Sequence, residues 1–141
     1  MGTRCTVQFT RKDCVKTIYQ SMDGNVKYLV PFLQKFLKWN GNRCSNVQYT
    51  AANYVFYCKF DAMREHVKYW RESDPEKPQS LEEYFECADD NMGVTHTGYG
   101  ITDNTHNDEQ YFYVVDLDAM FIRVDEKSFG VFEELSQEFD E

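Results

Sequence analysis

The sequence predicts an α+β fold: an antiparallel sheet of about five strands, built from an N-terminal hairpin and a C-terminal meander, with two to four helices packed on one face. Three observations carry this. The first 20 residues alternate with the period of two of a half-buried strand pair, residues 27–70 switch to helical spacing, and the last third returns to runs rich in strand formers. At 141 residues the chain has the size of one domain and can bury about two-thirds of its unfolded surface without metals or disulfides. A single globular unit over residues 1–141 is therefore expected, with the last few residues frayed.

The hairpin comes first. Cys5, Val7 and Phe9 lie on one face and Arg4, Thr6 and Gln8 on the other; Arg11-Lys12-Asp13 makes a tight turn. The returning strand, Cys14 to Gln20, opposes Cys14, Lys16, Ile18 and Gln20 to Val15, Thr17 and Tyr19. Asp23-Gly24-Asn25 then supplies turn and capping residues for a helix whose apolar face is Leu29, Phe32, Leu33, Phe36 and Leu37. Pro31 costs little if that helix starts near Lys27 or Tyr28, and a kink is expected if it starts earlier. Asn40-Gly41-Asn42 ends it, because Asn and Gly accept left-handed geometry.

From Asn46 to Trp70 two apolar stripes coexist. Val47, Ala51, Tyr54, Val55 and Cys58 form one, and Phe56, Phe60, Met63, Val67 and Trp70 the other. Either one long helix is buried on two sides or two helices break near Lys59 to Asp61. Residues 71–79, with Pro75 and Pro78, read as a loop. Ser80-Leu81-Glu82-Glu83 fits the S-x-x-E capping box of a short helix to about Ala88. The strands of the last third are predicted at Val94 to Ile101, Gln110 to Asp116 and Phe121 to Val124, followed from Phe129 by a short helix or a frayed tail.

No stretch approaches the roughly 20 apolar residues of a membrane span, and the first 20 residues lack the blocks of a signal peptide, so a cytoplasmic protein is expected. The cysteines, Cys5, Cys14, Cys44, Cys58 and Cys87, are odd in number and include no C-x-x-C pair, a pattern of free thiols; only Cys5 and Cys14 are placed to meet, across the hairpin. Cys87, His96 and His106, with Asp103 or Asp108, have zinc-ligand chemistry but match no zinc spacing, so no metal is expected. No cysteine sits at a glycine-rich elbow, and Gly98-Tyr99-Gly100 is too short to cradle phosphate. No catalytic residue or cofactor is assigned, and we favour a non-enzymatic reading.

Charge is the strongest functional signal. Residues 1–79 hold 13 of the 15 Lys and Arg and 7 of the 24 Asp and Glu, a balance of +6; residues 80–141 hold 2 and 17, a balance of −15. An acidic, aromatic surface in the second segment would repel nucleic acid and attract basic surfaces. The candidate contacts are the carboxylates Glu82, Glu83, Glu86, Asp89 and Asp90, the carboxylates Asp103, Asp108 and Glu109, and the rings Tyr111 and Tyr113. Two alternatives stand beside this. The basic segment, through Lys27, Lys35, Lys38, Arg64, Lys68 and Arg71, could meet nucleic acid or an acidic partner, or Cys87, His96 and His106 could serve a small metal-dependent or cysteine enzyme.

The start, Gly2-Thr3-Arg4-Cys5, then a strand pair, then Tyr19-Gln20-Ser21-Met22-Asp23-Gly24 entering a helix, resembles a family of small phage and prophage proteins over the first 40 or so residues. That family has Gly-Thr-Arg, a hairpin and Tyr-x-His-Trp-Asp-Gly-Tyr-Pro; Ser21, Met22, Asn25 and Val26 stand where it often has His, Trp, Tyr and Pro. The resemblance implies a phage setting in a bacterial host cell. It thereby implies an inhibitor of host defence, anti-CRISPR or anti-restriction, that binds a defence nuclease or other nucleic-acid-processing complex as a DNA mimic.

Overall fold

The computed structural model describes residues 3–87, 95, 97–103, 109–128 and 131–138. The fold is α+β. Six strands, β1 (Cys5–Arg11), β2 (Cys14–Gln20), β3 (Tyr99–Thr102), β4 (Tyr111–Asp116), β5 (Phe121–Ser128) and β6 (Val131–Glu138), form one sheet in the order β3-β2-β1-β4-β5-β6. The helices are α1 (Val26–Asn40), α2 (Val47–Ser73) and α3 (Leu81–Glu86). The chain divides into two compact units, residues 1–55 with 98–141, and residues 56–97. Among the described residues no helix is long and apolar enough to cross a membrane.

In the first unit the hairpin has the register its alternation implies, with Cys5 opposite Gln20, Val7 opposite Ile18 and Phe9 opposite Lys16. Cys5 and Cys14 therefore lie at opposite ends of the ladder, and both are free thiols. Three departures from expectation concern the sheet. The join between hairpin and meander, β1 with β4, is parallel, while the other pairs are antiparallel. In addition, β3 leaves the meander to pair with β2 at the far edge, and the stretch read as a helix or tail supplies β6. A period of two specifies which side chains share a face but not the direction of a neighbouring strand.

Cys5, Val7 and Phe9 are fully buried, and the Phe9 ring lies 6.1 Å from Phe36 of α1 and 5.3 Å from Tyr54 of α2. Tyr54 approaches Phe36 edge-on at 5.1 Å, and its hydroxyl donates to Gln20 Oε1 at 2.8 Å. Three rings in tilted and edge-to-face contact thus fasten two helices to the central strand, a geometry that adds about 0.5–1.5 kcal/mol per pair to the area buried. Asn25 caps α1 by accepting from the Tyr28 N–H at 3.1 Å, and Gly41, at φ +56°, closes the helix with its N–H on Leu37 O. A 3-10 turn over Gly41–Ser45 leads to Asn46, whose side chain accepts from the Tyr49 N–H at 2.9 Å and starts α2. α2 is one helix of 27 residues, which resolves the two stripes: both belong to the same cylinder.

Gly24 sits where no larger residue fits. A Cβ there would stand 2.7 Å from Cys5 Cβ and 2.9 Å from Thr3 O, while the Gly24 N–H donates to Thr3 O at 2.9 Å and the Tyr113 hydroxyl donates to Gly24 O at 2.5 Å. Gly24→Ala is expected to cost about 1–3 kcal/mol of unfolding free energy in urea titrations, through overpacking. Burial above all, then the neighbouring Cys5 and Tyr111, pushes the Tyr113 hydroxyl well above the ordinary tyrosine value. Its contribution to stability is therefore complete below pH about 10, the value in the unfolded chain, and is lost as pH rises beyond it. Tyr113→Phe is expected to lose about 1–2 kcal/mol at neutral pH and to fall less steeply than the parent above pH about 10, measured by urea unfolding across a pH series.

Candidate protein-docking face on α3

The ten residues read as an acidic, aromatic contact set do not share one environment. Glu82, Glu83 and Glu86 are exposed on α3, in the second unit, and Asp103 is exposed just beyond β3, in the first. Asp89, Asp90 and Asp108 lie outside the described residues, as do His96 and His106. Two expectations are overturned by burial. Glu109 is only 5% exposed, and its Oε2 accepts from the Thr6 hydroxyl at 3.1 Å, so it is an internal partner of β1 and not a surface acid. Tyr113 is fully buried because its register pairs it with Val7 and Val124 on the helix-covered side of the sheet. Tyr111, half-buried, holds its ring 6.2 Å from that of Tyr113.

α3 is held firmly although it has only six residues. Ser80 Oγ accepts from the Glu83 N–H at 3.1 Å, and Glu83 Oε2 accepts from the Gln79 N–H at 2.8 Å, so the capping box closes one residue upstream of its usual reciprocal bond. The approach loop is tied back to α2: Arg71 Nε donates to Gln79 O, and the Gln79 side-chain amide donates to Asp74 O at 2.9 Å and Lys77 O at 3.0 Å. Inward, Tyr84 is buried with Met63 and Val67, with Trp70 and Leu81 packed against them. Its ring stacks on Trp70 at 5.3 Å and on His66 at 5.8 Å, and its hydroxyl lies 2.9 Å from His66 Nδ1. Burial, then Cys87, raises the Tyr84 pKa, so it remains a neutral phenol at neutral pH.

What this anchoring presents outward is a mixed surface. Phe85, the residue after the buried Tyr84, is 70% exposed, with Glu82 beside it at i−3, and Glu86, itself exposed, lies one turn on from Glu82 at i+4. α3 carries no basic residue, and neither Glu82 nor Glu86 has an ion pair among the described residues. Protein-family models, curated proteins and solved structures were all compared with the chain, and none matches.

Phe85 escaped the sequence reading, which weighed only the acids around it. The signal was available: adjacent helical residues point about 100° apart, so a one-and-a-half-turn helix that buries Tyr84 turns its neighbour outward. The basic residues of the alternative reading divide between the two units. Lys27, Lys35 and Lys38 are exposed on α1 in the first unit, and Arg64, Lys68 and Arg71 on α2 in the second. Cys87 is half-buried, its backbone N–H on Tyr84 O, and among the described residues no group of three His, Cys, Asp or Glu side chains is placed to hold a metal ion. Ser80→Ala is expected to remove about 1 kcal/mol of local stability, which should speed amide hydrogen exchange in residues 81–86 about fivefold while leaving the β1–β2 amides unchanged.

Proposed function

We propose that this chain is a non-enzymatic, phage-derived inhibitor of bacterial defence, of the anti-CRISPR or anti-restriction kind. In this reading it acts in the host cytoplasm by docking on the basic groove of a nucleic-acid-processing complex, where its carboxylates take the place of phosphates. The observation that carries the reading is α3: free carboxylates and a bare phenyl ring on a helix whose other side is pinned by a stacked tyrosine. A rigid aromatic anchor ringed by charge loses little freedom on binding and suits a basic surface with an apolar recess. The balance of −15 over residues 80–141 adds long-range attraction to such a surface. The phage setting rests on the N-terminal resemblance. No cofactor enters the mechanism, which is steric and electrostatic.

Tagged protein incubated with lysate of a bacterium carrying restriction and CRISPR systems is expected to retain a stoichiometric nuclease or nucleic-acid-binding subunit, identified by mass spectrometry. Its affinity should fall steeply between about 0.05 and 0.5 M salt, since exposed charges are screened over a Debye length of about 10 Å at 0.1 M. An affinity that stays flat over that range contradicts the mechanism. Retardation of duplex DNA by the protein alone at low salt would favour docking through the exposed lysines of α1 instead.

A further inference from the structure

The second unit carries, next to its acidic helix, a surface of the opposite sign. Arg64, Lys68 and Arg71 recur at i, i+4 and i+7 on α2 and, with Val67, Glu72 and Leu81, line an open groove of about 420 Å³. Its floor is apolar; of the three cations on its rim, Arg64 pairs with Asp61 at 3.3 Å and Arg71 Nε donates to Gln79 O, and Glu72 is the one carboxylate in the lining. A few residues away, α3 exposes Phe85 beside the neighbouring carboxylates of Glu82 and Glu86. One patch is the charge complement of the other, and both belong to the same compact unit.

From this pairing we infer that the chain forms a two-fold dimer in which the α3 face of each copy seats in the α2 groove of the other. Phe85 enters the groove over Val67 and Leu81, while Glu82 and Glu86 meet Arg64 and Lys68. A two-fold interface requires that each copy offer both members of every contact, and two adjacent, complementary patches on one unit satisfy that requirement. The occupant is a second copy because this chain itself supplies an acidic, Phe-centred helix of the required sign. Phe85, 70% exposed, supplies the apolar anchor of that contact, and the carboxylates beside it are opposite in sign to the groove's cations. The dimer goes beyond the docking function proposed above and has a consequence for it. The same carboxylates serve both, so self-association and docking on a basic partner compete, and the monomer is the form that binds.

Sedimentation equilibrium of the full chain in reductant, which keeps the five thiols free, tests this. The parent protein is expected to dimerise at about 0.05 M salt and to dissociate as salt rises. Phe85→Ala should weaken the dimer about tenfold or more, as the loss of a central aromatic anchor does. Two charge-reversal variants decide the geometry: one carrying Glu82→Lys and Glu86→Lys, the other Arg64→Glu and Lys68→Glu. Each alone is expected to be monomeric, because like charges then face each other at both contacts. Mixed one to one they should form a heterodimer, since one contact is then native and the other reversed on both sides. All four positions are exposed, and a circular dichroism melt matched to the parent confirms that each variant is folded. A parent that is monomeric at low salt, reversal variants that dimerise like the parent, or a mixture that stays monomeric each overturn the dimer. None of those outcomes touches salt-dependent capture of a host complex, which tests the docking function separately.

Discussion

The first unit depends on the seating of Gly24 against the sheet. Its N–H is given to Thr3 O, its carbonyl receives the Tyr113 hydroxyl, and the place of its absent side chain is filled by Cys5. Three parts of the chain distant in sequence are joined there: the start of β1, the turn into α1, and β4. Cys5 and Tyr113 come near each other because β1 and β4 run parallel and in register, Cys5 with Tyr111 and Val7 with Tyr113. The glycine fixes where α1 begins, and α1 then brings Phe36 to Phe9 and Tyr54. Replacing one hydrogen on that Cα by a methyl group therefore touches the sheet and the helix layer together.

The second unit repeats the logic with a side chain in place of a backbone. Tyr84 is gripped by Trp70 and His66 on one helix and carries a second, shorter helix with it. An isolated six-residue helix is unstable in water, since nucleation costs more than so few hydrogen bonds return. α3 exists because Ser80 caps it, Gln79 ties its entry and Tyr84 docks it. Such anchoring is dispensable for a connecting segment but useful for one that must present Phe85 and two carboxylates in a fixed arrangement.

How far the sequence disclosed this varies with the range of the interaction. The hairpin register, the stop at Gly41 and the Ser80 cap are local, and each follows from a few neighbouring residues. The two stripes of α2 were visible, although spacing alone left open whether one helix or two carried them. Direction and partner of the later strands were hidden, because Val114 and Val115 look the same beside a parallel or an antiparallel neighbour. Val131 to Glu138 combines Phe132 and Leu135 at helical spacing with residues that also serve in a strand, and pairing with β5 decides the matter. Glu109 misled for a related reason: an acid among acids reads as solvated, and its partner Thr6 stands 103 residues away.

The proposed function puts the contact with a basic partner on α3, positioned by Tyr84. Hydrogen–deuterium exchange on the complex captured from lysate, compared with the free protein, locates the contact without a substitution. New protection is expected to concentrate in residues 81–87, with the α1 amides around Lys35 and Lys38 unchanged. Protection over α1 with α3 exchanging as in the free protein would contradict it.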